Sequence, residues 1–224
     1  MARLPPEVLV FVHIPKCAGS SFRQQLRRWY GEDALLIDSV DAAGLAEAVR
    51  ERGGMPRAIG GHLVHGVHRH LDCTPRYVSL VRDPADRLAS LYRHARARSD
   101  HPFHERAHAL AFPAFYEFTQ TDPRARRQTV GIQCFFLAQA RSFAEAAPVA
   151  AAYAALEPVE RYSDFLARCA ALAGRPPDGL PPRNVGAEDV RLDEAKAALA
   201  DRIRAENPED VALYRYVQSL GARR

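Results

Sequence analysis

The sequence predicts an α/β fold in which a parallel sheet is flanked by helices and the C-terminal half is largely helical. Three observations carry this expectation. Residues 8–14 and 77–81 are short, almost unbroken apolar runs rich in β-branched residues, the pattern of strands buried on both faces. The first run passes through a loop of small residues directly into a helical pattern. Strand and helix patterns then alternate, which places the strands parallel to one another.

Taken in order, Val8 through Ile14 is the first strand and 15–21 a loop. The helix that follows, 22–30, carries Phe22, Leu26 and Trp29 on one face. Residues 41–52 form a second helix, stopped by Gly53 and Gly54. Ala58 to Leu63 is a short strand or strand end, and Tyr77 to Val81 a buried strand. Asp83 suits an N-cap and Pro84 the first helical turn. That helix runs to about Arg96, with Leu88, Leu91 and Ala95 inward. Residues 102–155 read as mostly helical, interrupted near Pro113 and Pro123. A short strand is expected at 157–160 and a helix at 162–173. The 175–186 segment, rich in proline and glycine, is a loop, and helices at 192–206 and 208–221 close the chain. No repeat or linker is visible, so residues 1–224 are expected to form one domain.

Composition narrows the function classes. The formal charge of +4, from 31 basic and 27 acidic residues, is too small to argue for nucleic acid but permits local basic patches. Cys17, Cys73, Cys134 and Cys169 are widely spaced and form no Cys-x-x-Cys pair, so neither a zinc knuckle nor a disulfide scaffold is expected. No apolar run approaches the ~18 residues of a membrane span. Residues 1–16 lack a basic leader followed by a cleavable segment. A soluble, cytoplasmic protein with reduced cysteines is expected. Of the 31 basic residues only Lys16 and Lys196 are lysines. A lysine kept in so arginine-rich a chain suits a place that needs a compact point charge and not a planar fork.

Lys16 lies in the loop after the first strand. Ala18, Gly19, Ser20 and Ser21 let a backbone approach an anion closely, and the following helix N-terminus adds partial positive charge. The loop is not a Walker A element, because Lys16 precedes Gly19 by three residues instead of following the last glycine. A nucleoside triphosphate is therefore not its natural ligand. An ordinary tight strand-to-helix turn would also use small residues. A lysine beside a proline at the carboxyl end of a strand is harder to explain by packing, and ligands of open α/β sheets bind there.

A second cluster follows a later strand. Arg82 sits at a strand tip and Ser90 on the next helix, where Asp86, Ser90 and Arg93, or Arg87, Ser90 and His94, share a face. An arginine fork with a serine hydroxyl can clamp a second phosphate, although Arg82 paired with a carboxylate is the plainer alternative. Together, the two clusters suit a nucleotide phosphorylated at both ends of its ribose.

Residues 11–22, Phe11-Val12-His13-Ile14-Pro15-Lys16-Cys17-Ala18-Gly19-Ser20-Ser21-Phe22, resemble the 5′-phosphosulfate loop of the Golgi-type carbohydrate sulfotransferases and their bacterial relatives. Arg82-Asp83-Pro84 with Arg87, Ser90 and Tyr92 resembles that family's 3′-phosphate motif. The likeness is specific over about residues 8–95, and Cys17 stands where the family often has threonine. It implies a P-loop-like α/β fold and a sulfuryl transfer from 3′-phosphoadenosine 5′-phosphosulfate (PAPS) to a hydroxyl of a glycan or glycolipid, with no metal required. It further implies Lys16 at the bridging oxygen of the donor, the backbone of Cys17, Ala18, Gly19, Ser20 and Ser21 on the 5′-phosphate, and Arg82 and Ser90 on the 3′-phosphate. Asn184 would cover the adenosine side.

Such chemistry needs a base for the acceptor hydroxyl. Of nine histidines, His62 after Gly60-Gly61 is favoured and His65 is second. His68, Arg69 and His70 line an acidic acceptor's path or form a solvated run. Three rivals remain: a non-catalytic nucleotide-binding protein of the same fold, a metal-binding module built from His62, His65, His68 and His70, and a zinc metallopeptidase through His104, Glu105 and His108.

Overall fold

A computed structural model describes residues 4–176 and 189–222. Five strands form one parallel sheet: β1 Glu7–Val12, β2 Ala34–Leu36, β3 Ala58–Gly61, β4 Thr74–Val81 and β5 Ala155–Pro158. Their order is β2-β3-β1-β4-β5. Val8, Val10, Phe11, Val12, Val78, Leu80 and Val81 are essentially inaccessible, as expected for central strands covered on both faces. The parallel sheet flanked by helices and the helical C-terminal half agree with the reading of the sequence.

The order places β1 between β3 and β4. The chain leaves β1 toward the β2 edge and later crosses from β3 to β4 on the other side. The carboxyl end of β1 is thus the switch point at which open α/β sheets bind ligands. Register brings three turns together there. Val12 pairs with Gly61 on one side and Ser79 on the other, so His13 and His62 emerge side by side. Lys16 lies four residues beyond its strand pair and Arg82 three. Ser79 locks this alignment with a 2.7 Å hydrogen bond to the carbonyl of Val12.

The helices are α1 Gly19–Tyr30, α2 Ala42–Arg52, α3 Pro84–Ala97, α4 His104–Ala109, α5 Phe112–Thr121, α6 Pro123–Arg127, α7 Ile132–Ala138, α8 Phe143–Ala151, α9 Tyr162–Ala173, α10 Val190–Ala205 and α11 Pro208–Ala222. Phe22, Leu26 and Trp29 bury the inner face of α1. Asp83 caps α3, accepting from the amides of Ala85 and Asp86. Pro113 and Pro123 mark breaks in the helical stretch, as expected from sequence: α4 ends at Ala109 and α5 at Thr121. They sit in the first turns of α5 and α6, where a missing N–H costs nothing. Leu88, Leu91 and Ala95 of α3 pack with Phe103, Phe112, Phe115 and Tyr116 in a second apolar cluster. No helix among the described residues is long and apolar enough to cross a membrane. All four cysteines are free thiols.

Candidate active site

The loop leaving β1 is tightly wound. The amide of Cys17 bonds back to the carbonyl of Ile14 at 3.2 Å, and Lys16 and Ala18 take left-handed φ angles of 71° and 56°. Left-handed backbone costs an L-residue about 1–2 kcal/mol. Two such residues within three positions therefore mark a conformation imposed by its surroundings. The helix that follows has no N-cap side-chain bond, as is also true of α4, α5, α7 and α9. The first-turn amides of α1 and its positive dipole end face the loop.

Gly19 is fixed by close approach. A Cβ there would lie 1.7 Å from Cδ2 of His13. That imidazole is buried and neutral, its pKa held well below the usual histidine value by burial first and by the neighbouring His62 second. Its Nδ1 is buried without a hydrogen-bond partner.

Lys16 is half-buried, and burial together with the nearby Arg82 lowers its pKa to about 8. No carboxylate among the described residues pairs with it, whereas Lys196 holds Asp86 at 2.9 Å. Arg82 reaches Lys16 directly, donating from Nη1 to the Lys16 carbonyl at 3.3 Å, while its Nε is buried without a partner. The two sequence clusters thus meet in one crevice and do not lie on separate faces. Ser90 is half-buried on α3, one turn before Arg93 and His94, both of which lie within the electrostatic reach of Lys16. Ser20 is exposed and Ser21 buried.

His62 follows β3 directly. Its Nδ1 lies 2.8 Å from the carbonyl of His13, so Nδ1 carries the proton and Nε2 is left as an acceptor. Its ring stacks on that of His13, with centroids 4.2 Å apart. Burial is the main cause of its lowered pKa, opposed by the bond to the His13 carbonyl, and Arg23 and Lys16 lower it further. His62 is therefore a neutral imidazole beside a lysine ammonium.

His65 is placed differently. Its ring packs on Tyr77 and Tyr153, and its charged neighbours are His68 and Arg69. The Nδ1 of His68 lies 2.7 Å from the Tyr77 hydroxyl. Among the described residues no group of three or more His, Cys, Asp or Glu side chains converges as a metal site would require. The four-histidine module and the His104/Glu105/His108 zinc pattern therefore find no ligand set there. His104 instead directs Nδ1 to the carbonyl of Ala95 at 2.9 Å.

Two further placements bear on the sequence motifs. The Cys17 amide bonds to the Ile14 carbonyl, and its buried thiol, pushed up to about 12, points to Gln133. Arg87 is buried and donates to the carbonyls of Gln128 and Thr129 at 2.9 and 3.1 Å. Asn184 lies outside the described residues. The sequence reading also missed Gln133, which is fully buried between the two loops, and the approach of His94 and His101 to Lys16. No local pattern announces such contacts.

A model of the sulfotransferase family matches residues 2–185. The chain belongs to the sulfotransferase family. A crystal structure of a sulfotransferase from Alicyclobacillus acidocaldarius is similar over 96% of this chain and 100% of that one, with 17% identity and a TM-score of 0.46. No functionally curated protein matches the chain. For a sulfotransferase the crevice has the expected chemical character: unpaired cations beside a neutral imidazole, at the switch point of a parallel sheet. Family membership supports sulfuryl transfer as its reaction.

Proposed function

We propose that this sulfotransferase moves the sulfuryl group of PAPS onto a hydroxyl of a carbohydrate-type acceptor, a glycan or glycolipid. The observation that carries the proposal is the meeting, in one crevice, of unpaired Lys16, Arg82 and the neutral His62.

The donor set fits such a nucleotide. A half-buried ammonium without a carboxylate and a buried guanidinium Nε without an acceptor are both costly unless an anion answers them. The first-turn amides at 18–21 would hold the 5′ end, and Arg82 with Ser90 the 3′-phosphate. Asn184 is retained as a contact on the adenosine side on the strength of the sequence motif. When bound, the donor supplies a sulfuryl group on a phosphate leaving group.

Lys16 holds positive charge where the charge of the leaving oxygen would build. His62 accepts the proton of the acceptor hydroxyl at Nε2, its ring oriented by the Nδ1–H bond to His13. The scheme takes its cations from Lys16 and Arg82 and needs no metal.

The test is sulfate transfer from labelled donor together with calorimetric binding of 3′-phosphoadenosine 5′-phosphate. Lys16→Ala should lower turnover about 100-fold or more. His62→Ala should lose about 100-fold in turnover and keep nucleotide affinity. Arg82→Ala should weaken the nucleotide itself. Full turnover in the His62 variant would remove the base from the scheme.

A further inference from the structure

A second chain segment holds His62, besides the loop after β1. The backbone N–H of His62 donates to the carbonyl of Asp38 at 2.7 Å, and the amide of Ile37 donates to the carbonyl of Gly60 at 3.1 Å. The segment after β2 therefore runs against the end of β3. It runs so close that a Cβ on Gly61 would lie 1.8 Å from the Ile37 carbonyl oxygen. With the Nδ1–H bond to His13, the base is fixed at two points by two separate stretches of chain.

Arg23 in turn fixes Asp38. The Asp38 carboxylate accepts from Nη1 of Arg23 at 2.6 Å. The Arg23 side chain is 17% exposed and that of Asp38 83%. Arg23 sits on α1 directly after Phe22, whose ring is wedged between Phe11 and Phe165 with centroids 4.8 and 4.7 Å away. That helix starts immediately beyond the loop that carries Lys16. One side chain thus links the helix after the Lys16 loop to the segment that holds the base. An ion pair with so exposed a partner adds little to stability, so breaking it should leave the fold standing.

We infer that Arg23 is a positioning residue of the transfer: through the Asp38 carboxylate it holds the segment to which the His62 backbone is bonded, and so sets the base against Lys16. The inference rests on the proposed sulfuryl transfer with His62 as base and deepens it. A base must stand within hydrogen-bond reach of the hydroxyl proton, and a misplacement of about 1 Å costs a large factor in rate. Arg23 also acts as a charge. The titratable and charged groups facing His62 are His13 and Lys16 from β1 and its loop, Arg23 from α1 and Asp38 after β2. From α7 comes the uncharged ring of Phe136, with centroids 6.4 Å apart. Arg23 opposes protonation of His62 and Asp38 favours it, the more buried guanidinium being the stronger of the two.

The test combines the pKa of His62 by NMR, sulfate release from labelled PAPS with water standing in for the acceptor hydroxyl, and binding of 3′-phosphoadenosine 5′-phosphate. Arg23→Met breaks the tie and removes the charge. Sulfate release should fall about tenfold, the His62 pKa should rise, and nucleotide affinity should stay within about twofold. Arg23→Lys keeps a charge and a donor and should recover most of the loss. Asp38→Asn keeps an oxygen for Arg23 but not the charge. It should lose less turnover than Arg23→Met and move the His62 pKa the opposite way, downward. In a His62→Ala background, Arg23→Met should cost less than about twofold more, because its effect runs through that ring. Three results each overturn the inference and leave the proposed reaction standing: pKa shifts of the same sign in Arg23→Met and Asp38→Asn, the full loss persisting in the His62→Ala background, or a loss of nucleotide affinity equal to the loss of turnover. Full sulfate release by His62→Ala brings down the proposed base, and the role of Arg23 with it.

Discussion

The side-chain amide of Gln133 grips the backbone of Arg82 from both sides: Oε1 accepts from the Arg82 amide at 2.9 Å and Nε2 donates to the Arg82 carbonyl at 2.8 Å. The same Oε1 receives the thiol of Cys17 at 3.6 Å. One fully buried side chain on α7 therefore spans the loops that follow β1 and β4, and Asp210 anchors the residue by accepting the backbone N–H of Gln133. The distance between the 5′ and 3′ ends of a bound nucleotide would be set by this tie. Gln133→Met preserves volume and removes all three side-chain bonds. It should cost about 1–3 kcal/mol of stability, read by urea unfolding, because it strands buried backbone groups. Affinity for 3′-phosphoadenosine 5′-phosphate should fall about tenfold or more by calorimetry. Unchanged affinity in a folded variant would show that Gln133 does not position Arg82.

Gly19→Ala drives a methyl into the imidazole of His13, which lies under His62. The His13 ring must move, and the His62 ring loses its platform. Turnover should fall at least about tenfold and stability by about 1–3 kcal/mol. Removing the obstacle separates the causes. The double variant Gly19→Ala, His13→Ala should be more stable than the additive sum of the two single changes. Strict additivity would mean that the two residues do not compete for space.

The pH profile should carry two marks. His62 must be neutral to accept a proton, and burial lowers its pKa, so kcat/KM should rise through a midpoint below the ordinary 6.5 of histidine. Lys16 must be charged to hold an anion, and its pKa is lowered to about 8 from 10.5. An anionic ligand favours the charged form, so the pKa rises again when the nucleotide binds. Nucleotide affinity is therefore full below pH 8 and falls as pH rises past it, by as much as about tenfold per unit. Calorimetry from pH 7 to 9.5 reads this directly. Lys16→Arg should abolish the alkaline fall. A flat wild-type profile would contradict the assignment.

The parts of this molecule that were legible in the sequence are those that local pattern controls. The apolar runs of β1 and β4 could belong only to buried strands, and Asp83-Pro84 marked the start of α3. Lys16, Gly19 and Arg82 were visible because a loop at a strand end needs few residues to announce itself. β2 was not, since three half-buried residues make no pattern. Gln133 was invisible for another reason: its partners lie 51 and 116 residues away in the chain. The same holds for His101, whose proximity to Lys16 depends on how the segment after α3 folds back. Proline marked the breaks near Pro113 and Pro123, because a residue barred from helix interiors is well placed at a helix start.

Arg87 shows how a motif residue can serve the fold instead of the ligand. It lies 1% exposed, holds the carbonyls of Gln128 and Thr129, and is close enough to Asp210 for each to shift the other's pKa. Burial, the largest cause, raises the pKa of Asp210, and Arg87 opposes that rise. Arg87→Met removes the opposing charge and leaves two carbonyls without their donor. The loss should be about 2–3 kcal/mol near pH 7.5. Its sign with pH follows from Asp210. The variant's folded state holds the Asp210 proton more tightly than the unfolded chain does, so its stability deficit grows as pH rises through the raised pKa and shrinks as pH falls toward the unfolded value. Urea unfolding of both proteins at pH 5 and pH 7.5 checks this, and a deficit equal at the two pH values would uncouple Arg87 from Asp210. Nucleotide affinity per folded molecule should be changed far less than by Arg82→Ala, which distinguishes a strut beneath the site from a residue within it.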